Sequence, residues 1–355
     1  MLPRASMKKE CTPKEEELLD AHTDSSLGVP LSHPAKGKKK YDPRGDADDT
    51  AVTLPNHEWT CTTTEKASTP WWYGTCGSQS YAVIMERNES RFAHTDLKMR
   101  FCKVDQTTMK IQEQCASKST KLDNLPFQFA VTDVPAKGVV FFYISLDGTL
   151  IDWCGKNVSS ASIISKPQSE KNNPWKHIVA SKERVILADL TNTIRVYNIE
   201  DDERGKLHLR ETNRVSVYEP GSKLDMTKDQ LITMTMDETN RVILHYDHRF
   251  FIFTAWSDAY MTPSIIATYK DLTYQDMVIS GNRLYALRFS NTRAEFERDN
   301  YPFVVDVYKL TRQTIEHIYA HKSTMNGYPR SFCASGKRSL VIQTNTYMHT
   351  FHLPS

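Results

Sequence analysis

Three stretches of this chain repeat one short pattern. In each, a hydrophobic run ends at a serine, two polar or glycine residues follow, and a second hydrophobic run begins at an arginine. Two apolar runs joined by so short a polar turn are typical of a β-hairpin. Because a repeated supersecondary unit must stack on its own copies to bury its apolar faces, the repeat constrains the architecture of the whole chain. The stretches are Val179–Leu187, Val278–Ala286 and Cys333–Val341.

Two further copies of the hairpin complete the series. In Leu231–Leu244 the segment Arg241–Leu244 matches Arg184–Leu187 residue for residue, and in Phe129–Phe141 a lysine replaces the arginine. The basic positions of the five copies are therefore separated by 42 to 57 residues along the chain. They are Lys137, Arg184, Arg241, Arg283 and Arg338.

Each hairpin is followed by a third apolar run that contains or ends in an aromatic residue, and most copies add a weaker fourth run. Apolar runs of four to eight residues bounded by Gly, Asn, Asp and Ser are strand signals. Each repeat therefore predicts four antiparallel strands. The third runs are Leu150–Trp153, Ile194–Tyr197, Phe250–Phe253, Phe303–Tyr308 and Tyr347–Phe351.

Four antiparallel strands that recur at this spacing describe the blade of a β-propeller. Residues from about 125 to 355 resemble a divergent WD40-type propeller in their blade pattern. The Gly-His and Trp-Asp dipeptides of WD40 repeats are absent, and Val196–Ile199 and Val307–Leu310 occupy the place of the second one. The resemblance implies an all-β fold.

The last blade has only three strands of its own after Tyr328, so a strand from the N-terminal side is expected to complete it. Thr50–Leu54 and Glu58–Thr62 are the two candidates. We predict one propeller domain over residues 51–355 with six blades. The count becomes seven if residues 50–78 form strands of their own.

Residues 1–50 are rich in Lys, Glu, Asp, Pro and Ser and poor in large apolar side chains. Such a composition does not offset the entropy lost on ordering, so we expect a disordered charged tail. The tail contains a short basic run, which fits a nuclear localisation signal, a nucleic-acid patch or a solubilising linker. Its residues are Lys36, Lys38, Lys39 and Lys40.

The nearly balanced charge argues against nucleic acid as the main partner. The net charge is +2, from 45 basic and 43 acidic residues, whereas a protein that mainly binds phosphate backbones has a larger surplus of basic residues. The seven cysteines are scattered and odd in number, and no apolar leader stands at the start, which favours a nuclear or cytoplasmic protein with free thiols. No apolar run is long enough to cross a membrane, so no membrane partner is expected.

The chain shows no linear motif of catalysis. It has no closely spaced cysteine pair for a metal, no Gly-x-Ser-x-Gly elbow and no phosphate-binding loop. We therefore expect no cofactor, no metal and no enzymatic activity. An enzyme that gathers scattered residues over the central channel is the alternative.

Aromatic residues supply the candidate partner-binding positions. Equivalent places in successive blades lie on one ring, so the aromatic residues that begin the innermost strands are expected around the mouth of the central channel, where exposed aromatic side chains favour binding. The other interpretation is that they pack between blades. The candidates are Phe127, Trp175, Tyr274 and Tyr328, together with the concentrated Trp71, Trp72 and Tyr73.

The basic residues of the hairpins would form a second ring, on the propeller face that carries the hairpin turns. Such a ring favours nucleic-acid association, whereas the alternative is that each arginine hydrogen-bonds its own turn or covers a neighbouring blade. Taken together, the sequence predicts an interaction scaffold that binds a peptide or protein partner, with nucleic-acid binding as the alternative.

Overall fold

The computed structural model describes most of the chain between Trp59 and Leu353. The predicted tail, the lysines of its basic run and the candidate strand Thr50–Leu54 lie outside the described residues. All described residues belong to one unit, Lys40–Ser355. The described ranges are 59–65, 70–87, 96–105, 110–121, 126–135, 137–145, 150–154, 162–165, 175–189, 193–201, 207–216, 231–237, 239–246, 249–254, 264–268, 274–289, 300–311, 314–336, 338–344 and 347–353.

Every regular element in the described residues is a β-strand. In chain order the strands are β1 (Thr60–Glu65), β2 (Pro70–Cys76), β3 (Gln79–Arg87), β4 (Asp96–Val104), β5 (Ile111–Lys121), β6 (Pro126–Val134), β7 (Gly138–Ser145), β8 (Leu150–Cys154), β9 (Ser162–Ser165), β10 (Trp175–Ala180), β11 (Arg184–Asp189), β12 (Thr193–Asp201), β13 (Leu207–Ser216), β14 (Leu231–Met236), β15 (Arg241–Tyr246), β16 (Arg249–Thr254), β17 (Ser264–Thr268), β18 (Asp276–Ser280), β19 (Arg283–Phe289), β20 (Asn300–Leu310), β21 (Ile315–Asn326), β22 (Pro329–Ala334), β23 (Ser339–Thr344) and β24 (Tyr347–His352).

Within the described residues these strands form six four-stranded antiparallel sheets. The first five sheets are β2–β5, β6–β9, β10–β13, β14–β17 and β18–β21, and the sixth is β22–β24 with β1 added at its outer edge. The innermost strand of each sheet contacts that of the next, and β22 contacts β2, so the contacts close into a ring. The prediction of an all-β propeller is confirmed.

The sixth sheet joins the two ends of the described chain. β1 pairs antiparallel with β24, from Thr60 opposite His352 to Glu65 opposite Tyr347. Of the two candidate closing strands, Glu58–Thr62 overlaps β1, the strand that pairs with β24. β2 begins the first sheet, so the described part of residues 50–78 contributes to two sheets of the ring and adds no sheet of its own.

Most of the hairpin turns contain a residue with positive φ. Gly281 and Gly336 occupy the same place, two residues before Arg283 and Arg338, with φ of 61° and 69°, and Asn240, directly before Arg241, has φ of 58°. Glycine adopts this left-handed region without steric cost, and asparagine is among the few other residues that tolerate it. The glycine or asparagine of these turns is thus required by the backbone conformation. Gly77 and Gly138 have the same sign of φ in the hairpins of the first two sheets.

Strands at the centre of the sheets contain consecutive apolar residues because both of their faces are covered. In β11, Val185 and Leu187 pack against the second sheet, whereas Ile186 and Ala188 pack against the fourth. All four side chains are fully buried. Each sheet is therefore shared by two hydrophobic cores, one on either side.

Candidate functional site: the mouth of the central channel

A β-bulge stands at the start of the innermost strands. In β2, β6, β10, β14 and β22 the register shifts directly after the first residue, so the second residue is skipped in the residue-by-residue register of the two strands. In the fifth sheet the Gln275 amide donates to the Leu287 carbonyl, although Leu287 already pairs with Asp276. The bulged residues are Trp71, Phe127, Lys176, Ile232, Gln275 and Arg330. Bulges re-aim side chains, so in the five sheets whose bulged side chain is described one residue is re-aimed at the same end of the ring.

Burial changes sharply at the bulge. The residue before it is buried in each sheet whose side chain is described, namely Pro126, Trp175, Leu231, Tyr274 and Pro329. The bulged residue is partly exposed in the same five sheets, and the Trp71 side chain lies outside the described residues. We call these five partly exposed positions the mouth residues: Phe127, Lys176, Ile232, Gln275 and Arg330.

Two members of the predicted aromatic ring, Trp175 and Tyr274, stand one position before the mouth residues of their sheets. Phe127 is a mouth residue, but Trp175 and Tyr274 are 6% and 0% exposed and are not available as exposed contacts. The Arg195 guanidinium covers the Trp175 ring at 5.1 Å, and the Tyr274 hydroxyl donates to Asp306 at 2.9 Å. The physical reason is the bulge, which turns the first residue of the strand inward and presents the second.

Tyr328 lies at the same end of the ring, immediately before β22. It is partly buried and packs against Phe289, at 5.7 Å between ring centroids, and against Tyr301, at 5.9 Å. These contacts join the fifth sheet to the start of the sixth. The structure therefore gives Tyr328 a packing role beside the mouth.

Trp72 and Tyr73 point to opposite faces of the first sheet. Trp72 packs on Phe129 and Phe141 of the second sheet, at 5.5 and 5.6 Å between ring centroids. Tyr73 is 2% exposed, faces the sixth sheet and donates to Ser80 Oγ at 2.8 Å. A Cβ at Gly74 would lie 2.2 Å from the Trp72 ring, so glycine is needed there. For these two aromatic residues the packing interpretation holds.

Polar side chains directly after the mouth residues link neighbouring sheets. His177 Nε2 lies 3.2 Å from the Leu231 carbonyl of the next sheet, and burial lowers its pKa to about 3, so a neutral ring donates this bond. Asp276 accepts from the Met277 amide at 2.8 Å and from the Phe332 amide of the sixth sheet at 3.2 Å. The strands that carry the mouth residues are thus held to one another below the surface.

Asp276 gives the fold a specific pH dependence. Burial raises its pKa from 3.8 to about 7, against the opposing effect of the two amide bonds. Because the unfolded carboxyl ionises near pH 4, the folded state binds the extra proton between pH 4 and 7, and stability falls as pH rises through that window. We expect Asp276→Asn to remove a dependence on the order of 2–4 kcal/mol in the free energy of unfolding. Urea unfolding of both proteins at pH 5 and pH 8 measures it, and a constant difference between them would contradict the assignment.

The basic residues of the hairpins lie at the other end of the strands, away from the mouth, and two of them make structural contacts. Lys137 Nζ lies 3.0 Å from Asp201 Oδ1. Arg241 pairs with Asp237 at 2.8 Å and also donates to the carbonyls of Gly281 and Thr311 in the next sheet. For Arg241 the structure matches the alternative interpretation, in which the arginine binds its own turn and covers a neighbouring sheet. Arg184 and Arg283 are partly exposed, and Arg338 is exposed.

No group of three or more His, Cys, Asp or Glu residues in the described ranges could hold a metal ion. Those ranges also contain no helix that is long and apolar enough to cross a membrane.

Comparison with known proteins gives a likeness of fold. No family model and no curated protein matches the chain. The Cps50 (Swd1) β-propeller domain of Myceliophteria thermophila superimposes with a TM-score of 0.50 at 10% identity, over 84% of this chain and 100% of that one.

Two other solved structures are more distant. Raptor of Chaetomium thermophilum has a TM-score of 0.47 at 9% identity over 84% of this chain, which spans only 29% of the Raptor chain. The WD40 domain of SCAP from fission yeast has a TM-score of 0.36 at 11% identity, over 85% and 75% of the two chains. Together, the closed ring of four-stranded sheets and the Cps50 likeness show that the chain has a β-propeller fold.

Proposed function

We propose that the six sheets are the six blades of a propeller that serves as a non-enzymatic interaction scaffold. Its partner is a peptide or protein, and the binding site is the mouth of the central channel. The observation that carries the proposal is the repeated bulge, which presents a partly exposed side chain around a single opening in each of the five blades whose bulged side chain is described.

Rigidity supports this assignment. Binding is tighter when the contact residues are already held in place, because less conformational entropy is lost on association. The strands beneath the mouth are linked across blades by His177 and Asp276, as described above. The mouth residues combine apolar, amide and cationic side chains, which suits a mixed peptide surface.

Affinity purification of the full chain tests the proposal. Ile232→Glu combined with Lys176→Glu changes two mouth residues that are partly exposed. We expect partners that are captured by the wild-type protein to be lost from this variant, since both the apolar contact and the cation are replaced by negative charge.

A matched variant controls for the added charge. Lys182→Glu combined with Thr239→Glu places two glutamates on exposed hairpin turns at the opposite end of the strands. This variant should retain the partners. If both variants keep the same partners while circular dichroism shows native folding, the mouth is not the binding site.

A further inference from the structure

The charged mouth residues lie across the channel from each other. Lys176 belongs to the third sheet and Arg330 to the sixth, and these sheets are opposite in a ring of six. Phe127 and Ile232 stand in the sheets on either side of Lys176. None of the six bulged positions is acidic. The mouth therefore combines two facing cations with apolar neighbours.

The opening is narrow enough for both cations to reach one ligand. Neighbouring innermost strands approach within 8 Å between Cα atoms. Since the radius of a regular hexagon equals its side, opposite strands are about 16 Å apart where they are closest, and a helix with its side chains is about 10–12 Å wide. Side chains of the mouth residues reduce that space further. An extended segment fits over the opening, and one of its side chains can lie between Lys176 and Arg330.

Three described acidic residues of the sheets that carry the mouth are already engaged within the protein. Asp276 accepts two backbone amides, Asp189 accepts the Thr193 amide at 3.1 Å, and Glu211 pairs with Arg214 and, at 3.5 Å, with Arg195. Among the described residues, no carboxylate lies within ion-pair distance of Lys176. The Lys176 ammonium is half-buried, and desolvation lowers its pKa. A partly desolvated cation gains from an anionic partner that replaces lost water.

We propose that the mouth binds an extended acidic peptide segment, with one carboxylate between Lys176 and Arg330 and flanking apolar side chains against Phe127 and Ile232. This inference rests on the proposed function, in which the mouth is the partner site. It adds the chemical class of the partner. The complementarity is that of two cations and two apolar side chains at bulged positions, none of which is acidic.

Selection from a random twelve-residue peptide library tests the inference on the full chain. Peptides selected by the wild-type protein should be enriched in Asp or Glu next to Leu, Ile or Phe. Because both charge-assisted bonds to the peptide carboxylate are lost, replacing both cations in Lys176→Ala/Arg330→Ala should weaken the binding of a selected acidic peptide at least about tenfold. The reversed pair Lys176→Glu/Arg330→Glu should select basic peptides instead.

The outcomes separate the two levels of the proposal. The selected peptides could bind the wild-type protein, fail to bind Ile232→Glu and show no enrichment in Asp or Glu. In that case the acidic class is wrong and the mouth remains the partner site. If selected peptides bind equally well to all mouth variants, the proposed function fails as well. If a single-stranded RNA of the same length displaces the peptides and binds more tightly, the partner is nucleic acid and the inference is overturned.

Discussion

Trp59→Ala is expected to lower the free energy of unfolding by about 3–5 kcal/mol, the range found for large aromatic side chains removed from cores. Trp59 stands immediately before β1 and is 8% exposed. Its ring stacks on His321 at 4.2 Å, and its Nε1 donates to the Tyr319 hydroxyl at 3.3 Å. It thereby fastens the closing strand of the sixth sheet to the outer strand of the fifth.

Urea unfolding followed by far-ultraviolet circular dichroism measures this loss. Trp59→Phe keeps an aromatic ring but loses the donor, so it should cost about 1 kcal/mol from the hydrogen bond alone, plus the smaller packing loss. Thr62→Ala, at an exposed position of β1, serves as the control and should change little. If Trp59→Ala were as stable as Thr62→Ala, the closing strand would not depend on this anchor.

Asp306→Ala should be the most damaging change of a charged residue. Asp306 is 2% exposed at the centre of the fifth sheet. It accepts bonds from Arg288 Nε at 2.6 Å and the Tyr274 hydroxyl at 2.9 Å, and His317 Nε2 lies at 3.3 Å. Removing one partner of a buried ion pair leaves the other uncompensated, which costs about 3–5 kcal/mol.

The exposed ion pair of Lys137 with Asp201 provides the matched control for Asp306. Asp201→Ala removes a carboxylate that is 52% exposed, and exposed pairs contribute less than about 1 kcal/mol. Comparable losses in the two variants, measured by urea unfolding, would show that the Asp306 cluster is not a buried network.

Acidification offers a second measurement on Asp306. Burial opposes its charge, but the bonds from His317, Arg288 and Tyr274 outweigh burial and lower its pKa below 3.8. A lowered folded pKa contributes stability that is present above about pH 4 and is lost as pH falls through the folded pKa. The wild-type advantage over Asp306→Asn should therefore shrink on acidification below pH 4.

Local chemistry made much of this architecture predictable. Several hairpin turns need a residue such as Gly281 or Asn240 that tolerates positive φ. Strands covered on both faces need apolar runs such as Val185–Ala188. Both features can be recognised from residues that are neighbours in the sequence. The closing strand could be anticipated because the last repeat lacks its fourth run. These are properties of short segments and depend little on distant residues.

The site was harder to predict because its determinants are not local. The bulge that separates Trp175 from Lys176 is a property of pairing between two strands, and no residue type marks it. The sequence therefore predicts the mouth position of Phe127 but selects Trp175 and Tyr274, which stand one position before the mouth residues of their sheets. The Asp306 cluster draws Tyr274, Arg288 and His317 from segments separated in the sequence. Nothing in the spacing of those residues indicates that they converge.

The pairing of β1 with β24 also has a mechanical consequence. Thr60, at the start of β1, is opposite His352, at the end of β24, so the chain runs into β1 and out of β24 at the same end of this strand pair. A force that pulls the two ends apart therefore loads the hydrogen bonds of this pair one after another, as in opening a zip, instead of shearing them together. Every other sheet consists of strands that are consecutive along the chain. Under tension the ring should therefore open first between β1 and β24.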